Sequence, residues 1–256
     1  MSDELGTLVQ LRPTIQKAVA LLPPQVRHRA ENAYEGFARA RTLLSIDREM
    51  ASFRAITAEE EAASALFRSL QLRGYPGAEL LDLKKHQHKA AAPFFLRAVS
   101  YALVGDGAAT VTITVKADPP SIVVALPVTQ FSGLENTPGN LHLELTEPLG
   151  LCYTRYGTGA DERFDHAVKR AAGDRRVDKL IEKAANSRNR ILYAHDGGLP
   201  LSQVTLSGIE IREQNADLCV LLAIAVLQVE GHQPMAMECL QGFLKVIGRQ
   251  RSEVFT

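Results

Sequence analysis

The chain is 256 residues long with 46% hydrophobic side chains, room for one large domain or two small ones around an ordinary core. Its 29 Lys and Arg residues balance 29 Asp and Glu, so it lacks the global basic field of a non-specific nucleic-acid binder, and any polyanion must be gripped by a local patch. Cys152, Cys219 and Cys239 show no CxxC spacing, which argues against a zinc site or disulfide framework and toward a reduced, cytoplasmic setting.

Met1-Ser2-Asp3-Glu4 is acidic and lacks the apolar core of a signal peptide. A first helix is expected over 13–22, with Pro13 tolerated in its first turn and Pro23-Pro24 stopping it. A second runs over 25–44, where Ala30, Ala33, Phe37 and Ala40 recur at helical intervals. Ser45 and Asp47 are candidate caps for a third helix over 48–72, closed by Gly74. A fourth helical region spans 78–104, with Pro93 as a break or kink.

The composition changes at Gly105-Asp106-Gly107. Residues 109–115 are β-branched and alternating, a strand signature, and Pro119-Pro120 is a turn before a second strand over 122–128. Further strands are expected over 141–145 and 151–156. A helical pattern then covers 160–195, interrupted near Gly173-Asp174 and ended by Gly197-Gly198. Residues 199–211 read as extended or irregular, and helices over 213–228 and 235–248 close the chain. The run 218–229 is too short to span a bilayer, so no membrane partner is expected; it must be buried in the core or at a subunit contact. The fold class is mainly α (α+β), a helical bundle (1–105 and 159–256) with a small antiparallel β insertion (106–158).

Arg188 and His195 are seven positions apart, two helical turns, so a continuous helix projects both from nearly one face. Arginine holds phosphate as a planar, permanently charged fork, and histidine moves protons near neutral pH. The alternative is structural: Arg188 in a surface ion pair and His195 capping its helix. The cations at 169, 170, 175, 176, 179, 183, 188 and 190 thicken toward His195, while Asp174, Asp178 and Glu182 make part of that face an ion-paired, solvated one.

Earlier in the chain, Glu59-Glu60-Glu61 lies mid-helix, and His86, His88 and Lys89 follow. A carboxylate-bridged metal centre in a bundle needs Glu-x-x-His pairs on two helices, and neither is present, so no metal or other cofactor is expected. One glutamate should be buried against Lys89, Lys85 or His86 while the others face water. Glu60, His86 and Lys89 are the expected polar supports of the site. His28, His142, His166 and His232 have no partners at informative spacing. The chain has no P-loop, GxGxxG or G-x-S-x-G motif.

Arg188-Asn189, with His195 after six intervening residues and then Asp196-Gly197-Gly198, resembles the arginine–polar–histidine signature of HEPN-domain proteins. The stretch 58–63 followed by His86-Gln87-His88-Lys89 is similar to the acidic helix and His–Lys element of AbiV-like abortive-infection proteins, HEPN-type proteins of phage defence. The resemblance covers the helical portions on either side of the β stretch. It implies a homodimeric, helical, metal-independent endoribonuclease in which a ribose 2′-hydroxyl attacks the adjacent phosphodiester, or a non-catalytic relative that binds RNA, nucleotide or a regulatory protein partner. Under it, the motifs of two protomers meet in one cleft: His195 moves a proton and the partner subunit supplies the complementary group, Arg188 stabilises the transition-state charge and Asn189 orients the histidine or bonds the phosphate, with Arg190, Lys183 and Tyr193 binding substrate. Arg190, with four intervening residues before His195, is a competing choice of arginine.

Overall fold

The computed structural model describes residues 2–96, 99, 112–130, 133, 136, 141–150, 176–193 and 204–248. Seven helices are bounded among them: α1 (Ser2–Val19), α2 (Pro24–Leu43), α3 (Arg48–Leu72), α4 (His86–Ala90), α5 (Val177–Leu192), α6 (Leu206–Leu227) and α7 (Pro234–Val246). Three strands, β1 (Thr112–Lys116), β2 (Ser121–Pro127) and β3 (His142–Leu145), form an antiparallel sheet in the order β1-β2-β3. The chain is thus mainly helical with a small antiparallel sheet. No helix among the described residues is long and apolar enough to cross a membrane.

α2 and α3 pack through small residues. Ala30, Ala33 and Ala40 are fully buried on α2, and a Cβ on Gly36 would stand 2.8 Å from that of Ala58, so only glycine allows the approach. α3 begins where Asp47 accepts a hydrogen bond from the Met50 amide at 2.8 Å, and beyond its last turn Gly74 takes φ +67°. α6 lies against α1, α2, α3 and β2, apolar around most of its circumference as a buried helix is. Ile209, Ala216, Val220, Ala223 and Ile224 are each fully buried there. Phe67 of α3 and Phe95 meet Phe243 of α7, with ring centroids 5.8 and 5.4 Å apart.

Two carboxylates on α6 are buried as well. Asp217 receives Arg12 Nη2 at 2.7 Å and Nε at 3.0 Å, and Glu213 receives Arg12 Nη1 at 2.7 Å and Arg41 Nη1 at 2.9 Å. Burial pushes the Asp217 carboxyl above its ordinary range against the pull of Arg12. The network joins α1 and α2 to α6.

The sheet is sewn to the bundle by side-chain amides. Ile122, Val124 and Leu126 of β2 are buried, and Gln228, just past α6, bonds Ile122 as a neighbouring strand would. Its Oε1 accepts from the Ile122 amide at 2.7 Å, and its Nε2 donates to the Ile122 and Thr146 carbonyls at 2.9 and 2.6 Å. Gln233 acts likewise, accepting from the Leu149 amide at 2.9 Å and donating to the Ala225 carbonyl at 2.7 Å.

Several expectations need correction. The first helix starts at Ser2 rather than at Pro13, which sits inside it; α1's packing on α2, α6 and β1, and the grip of Arg12, outweigh the hydrogen bond that a proline forfeits. Of the helical region expected over 78–104 with a break or kink at Pro93, the described residues hold a 3-10 turn (Ala78–Leu80), α4 and a helical stretch at 92–96, so it is already interrupted before Pro93. The segment 199–211 is not all irregular, because Thr205 caps α6 through the Gly208 amide at 3.2 Å. The apolar run 218–229 falls within and just beyond α6, packed in this chain's own core, so it no longer argues for a subunit contact. The strand expected at 151–156 and the helical stretch 160–175 lie outside the described residues.

Two outcomes follow. Gln228→Ala should cost about 1–3 kcal/mol by stranding the Ile122 groups, and hydrogen exchange at that amide should accelerate ahead of exchange in α3. Burial also pushes the hydroxyls of Tyr34 and Tyr75 above the ordinary value of 10.0, so both bind their protons more tightly folded than unfolded. The stability they contribute is complete below about pH 10 and falls as pH rises beyond it. Tyr34→Phe should flatten that alkaline slope in urea titrations run across the range.

Candidate functional site

Successive residues on a helix point about 100° apart, so the glutamates of α3 serve different neighbours. Glu59 turns to α6, where Asn215 Nδ2 donates to it at 2.7 Å and Arg212 pairs with it. It does not face water, contrary to expectation. Glu60 turns to α4. There Lys89 Nζ stands 3.2 Å from its Oε2 and His86 Nδ1 stands 2.7 Å from the same oxygen. The side chains of Glu60 and Lys89 are only 7% and 8% exposed, whereas that of His86 is 44% exposed.

α4 is held in place by the loop before it. The buried His88 accepts the Asp82 amide on Nδ1 at 3.0 Å, and the Lys84 amide, donating to Asp82 at 2.9 Å, holds that carboxyl below its ordinary range. His86 and Lys89, one turn apart, then reach the same carboxylate.

The third contributor arrives from the far side of the β unit. α5 turns Val177, Ile181, Ala184 and Arg188 toward α3 and α4 at intervals of four, three and four, leaving Lys183, Asn186 and Arg190 exposed. Arg188 Nη1 lies 2.8 Å from His86 Nε2 and 3.2 Å from Nδ1. Its Cζ sits 5.0 Å from the ring centroid of Phe53, which shares a face of α3 with Glu60 two turns away. A carboxylate only accepts and a guanidinium only donates. Glu60 takes the Nδ1 side of the ring, and Arg188 Nη1 stands over the ring within reach of both nitrogens.

The site thus gathers Glu60, His86, Lys89 and Arg188, all singled out in the sequence, and adds Phe53, which no motif marks. The remaining candidates separate. Arg190 and Lys183 are exposed on the side of α5 away from Arg188, so neither joins the group, and of the two competing arginines only Arg188 meets His86. Asn189 is exposed beside it, and Tyr193 is 64% exposed beyond the helix end. His195 and Gly197-Gly198 lie outside the described residues. α5 ends at Leu192 and Tyr193 is extended (φ −125°, ψ 141°), so the helix expected to reach 195 stops short of it. As expected of a partly ion-paired face, Arg176 bonds Asp178 at 2.6 Å and Lys179 bonds Glu182 at 2.8 Å.

His28 and His142 are exposed, and His232 bonds the Arg73 carbonyl at 3.0 Å against the Tyr75 ring. Among the described residues, no three His, Cys, Asp or Glu side chains converge as a metal site. The Glu60–His86 pair is flanked by two cations, a setting suited to an anion.

No protein-family model, no curated protein and no solved structure matches this chain.

Removing one partner of a buried pair leaves the other charge uncompensated. Glu60→Ala should therefore cost about 3–5 kcal/mol by urea unfolding, through the stranded Lys89, and Glu60→Gln, which keeps an acceptor for His86, should cost less.

Proposed function

We propose that this chain is a metal-independent endoribonuclease of the HEPN kind, acting in phage defence or as a toxin. The observation that carries the reading is the contact between Arg188, the arginine of the HEPN-like signature, and His86, which Glu60 orients from beneath. Two residues 102 positions apart, each singled out in the sequence, share one partly solvent-facing spot. The chemistry suits a phosphodiester. Arg188 stabilises the charge that develops on the phosphorus oxygens, and Phe53 steadies the guanidinium plane. Lys89 offsets the carboxylate behind the imidazole, so the anion enters a positive setting. His195, in the signature, moves a proton, and the requirement for a 2′-hydroxyl nucleophile makes RNA the substrate. A homodimer remains part of the proposal through the resemblance alone.

A second reading has its own support. An arginine that bonds a histidine and stacks on a phenylalanine also staples α5 to α4 and α3. On that reading the protein is a non-catalytic RNA-binding or partner-binding module.

The two separate in a cleavage assay with purified protein in EDTA. Wild type should cut RNA and leave 2′,3′-cyclic phosphate ends. Arg188→Ala should lower kcat by about 10²–10³-fold, the usual loss when one transition-state donor is removed, with little change in thermal midpoint. An inert wild type, together with an Arg188→Ala midpoint lowered by several degrees, would favour the staple.

A further inference from the structure

Two of the exposed leucines, Leu21 at 55% and Leu72 at 40%, meet at one cavity of about 340 Å³. It forms where four segments end. Leu21, Leu22 and Pro23 come from the turn between α1 and α2, and Leu72 and Arg73 from the end of α3. Leu227 closes it from the last turn of α6, and Pro120 from the turn between β1 and β2. Arg73 is the one charged residue in this lining. We propose that the cavity binds a small amphipathic carboxylate, with its apolar tail on the leucines and prolines and its carboxylate on Arg73. The proposal does not depend on the ribonuclease reading. Arg73 lies thirteen residues beyond Glu60, about 20 Å along the axis of α3.

Arg73 carries more donors than the fold uses. A guanidinium has five N–H groups. Nη2 donates to the Leu227 carbonyl, which covers an open end of α6. Nε is buried with no hydrogen-bond partner, and among the described residues no carboxylate pairs with this side chain. A role as helix cap accounts for Nη2 and leaves Nε unexplained, since a buried donor without an acceptor is unfavourable. A ligand carboxylate supplies that acceptor. The charge around the cavity allows it: α2 begins at the rim with no acidic residue in its first turn, and its positive end offsets the negative ends of α3 and α6 that meet there.

Size and lining set the class of ligand. Pockets for small molecules span about 300–1,000 Å³, and this one lies at the low end, enough for a short acyl chain or a single ring but too small for a long-chain lipid. One guanidinium balances one negative charge, and its planar fork matches a carboxylate. The leucines give the tail an apolar surface that solvent otherwise wets.

The test titrates the full chain with octanoate by calorimetry and maps the site through amide shifts in ¹H–¹⁵N spectra. Saturable binding with Kd of about 1 mM or tighter is expected, with the largest shifts at Leu22, Leu72 and Leu227. Octan-1-ol keeps the tail without the charge, and propionate keeps the charge with little tail; each should bind at least about 10-fold more weakly than octanoate. Arg73→Gln should weaken octanoate about 10–100-fold, the worth of a charge-assisted hydrogen bond, and Arg73→Lys should weaken it less. Leu21→Asp leaves Arg73 in place and sets a negative charge at the rim on an exposed side chain. It should weaken octanoate too while leaving the thermal midpoint nearly unchanged, which guards against a folding defect in the arginine variants. No saturable binding to wild type up to about 10 mM octanoate overturns the proposal and leaves Arg73 as the cap of α6 alone. So does octan-1-ol binding as tightly as octanoate, or shifts that map away from the cavity. Octanoate affinity within about threefold of wild type in both Arg73→Gln and Leu21→Asp overturns it as well.

Discussion

A carboxylate in a helix pack is a liability until cations reach it, and Glu60 is such a carboxylate. Burying an ion costs several kcal/mol after relaxation unless pairing offsets it. The partners available on α3 itself are wrong, because its neighbouring charged residues turn elsewhere: Glu59 goes to α6. Cover must come from other segments. Lys89 and His86 supply it from α4, and Arg188 on α5 closes over the His86 ring. One buried charge therefore draws together the helical parts on either side of the sheet. Glu213 and Asp217 do the equivalent on α6, closing α1 and α2 around it through Arg12 and Arg41. The two networks differ in one respect. Arg12 and Arg41 satisfy carboxylates directly, whereas the Glu60 network ends in an imidazole that solvent can reach.

That difference matters because of what lies underneath. Alanine and glycine contacts bring α2 and α3 close together, and α6 fills the remaining groove with aliphatic side chains. Phe53 and Glu60 are fixed on this platform, and α4 and α5 are laid over it, α5 through Val177 and Ile181 as well as Arg188. Sites placed on rigid elements hold their geometry more closely than sites on loops. Here the orienting carboxylate sits on the platform, and the groups suited to a substrate sit on the two helices laid over it.

Much of the platform was legible in the sequence. The alanine period of α2, the Asp47 cap and the Gly74 stop are local signals, and local geometry obeyed them. The buried glutamate was legible too, since three adjacent carboxylates on a mid-chain helix cannot all face water in a packed bundle. What could not be read was which partner each would take. Lys85, His86 and Lys89 were equal on spacing, and only the loop that anchors His88 to Asp82 sets the roll of α4. The pairing of Arg188 with His86 spans 102 positions, and no periodicity reaches that far. The helix expected to reach 195 ends early for a local reason: Tyr193 leaves it, and the seven-residue spacing assumed unbroken turns. Phe53 went unremarked although it stands seven residues before Glu60 on the same helix.

The order of the Glu60–His86–Arg188 chain has a consequence of its own. An exposed histidine ordinarily flips its ring and exchanges its proton between nitrogens. Here the carboxylate of Glu60 engages Nδ1 alone at 2.7 Å, so the two nitrogens are no longer equivalent. Glu60 holds the ring on its Nδ1 side, and the guanidinium covers it from outside, within 3.2 Å of both nitrogens. Lys89 completes the sequence from the other side, donating to the same Glu60 oxygen and keeping that oxygen from turning away.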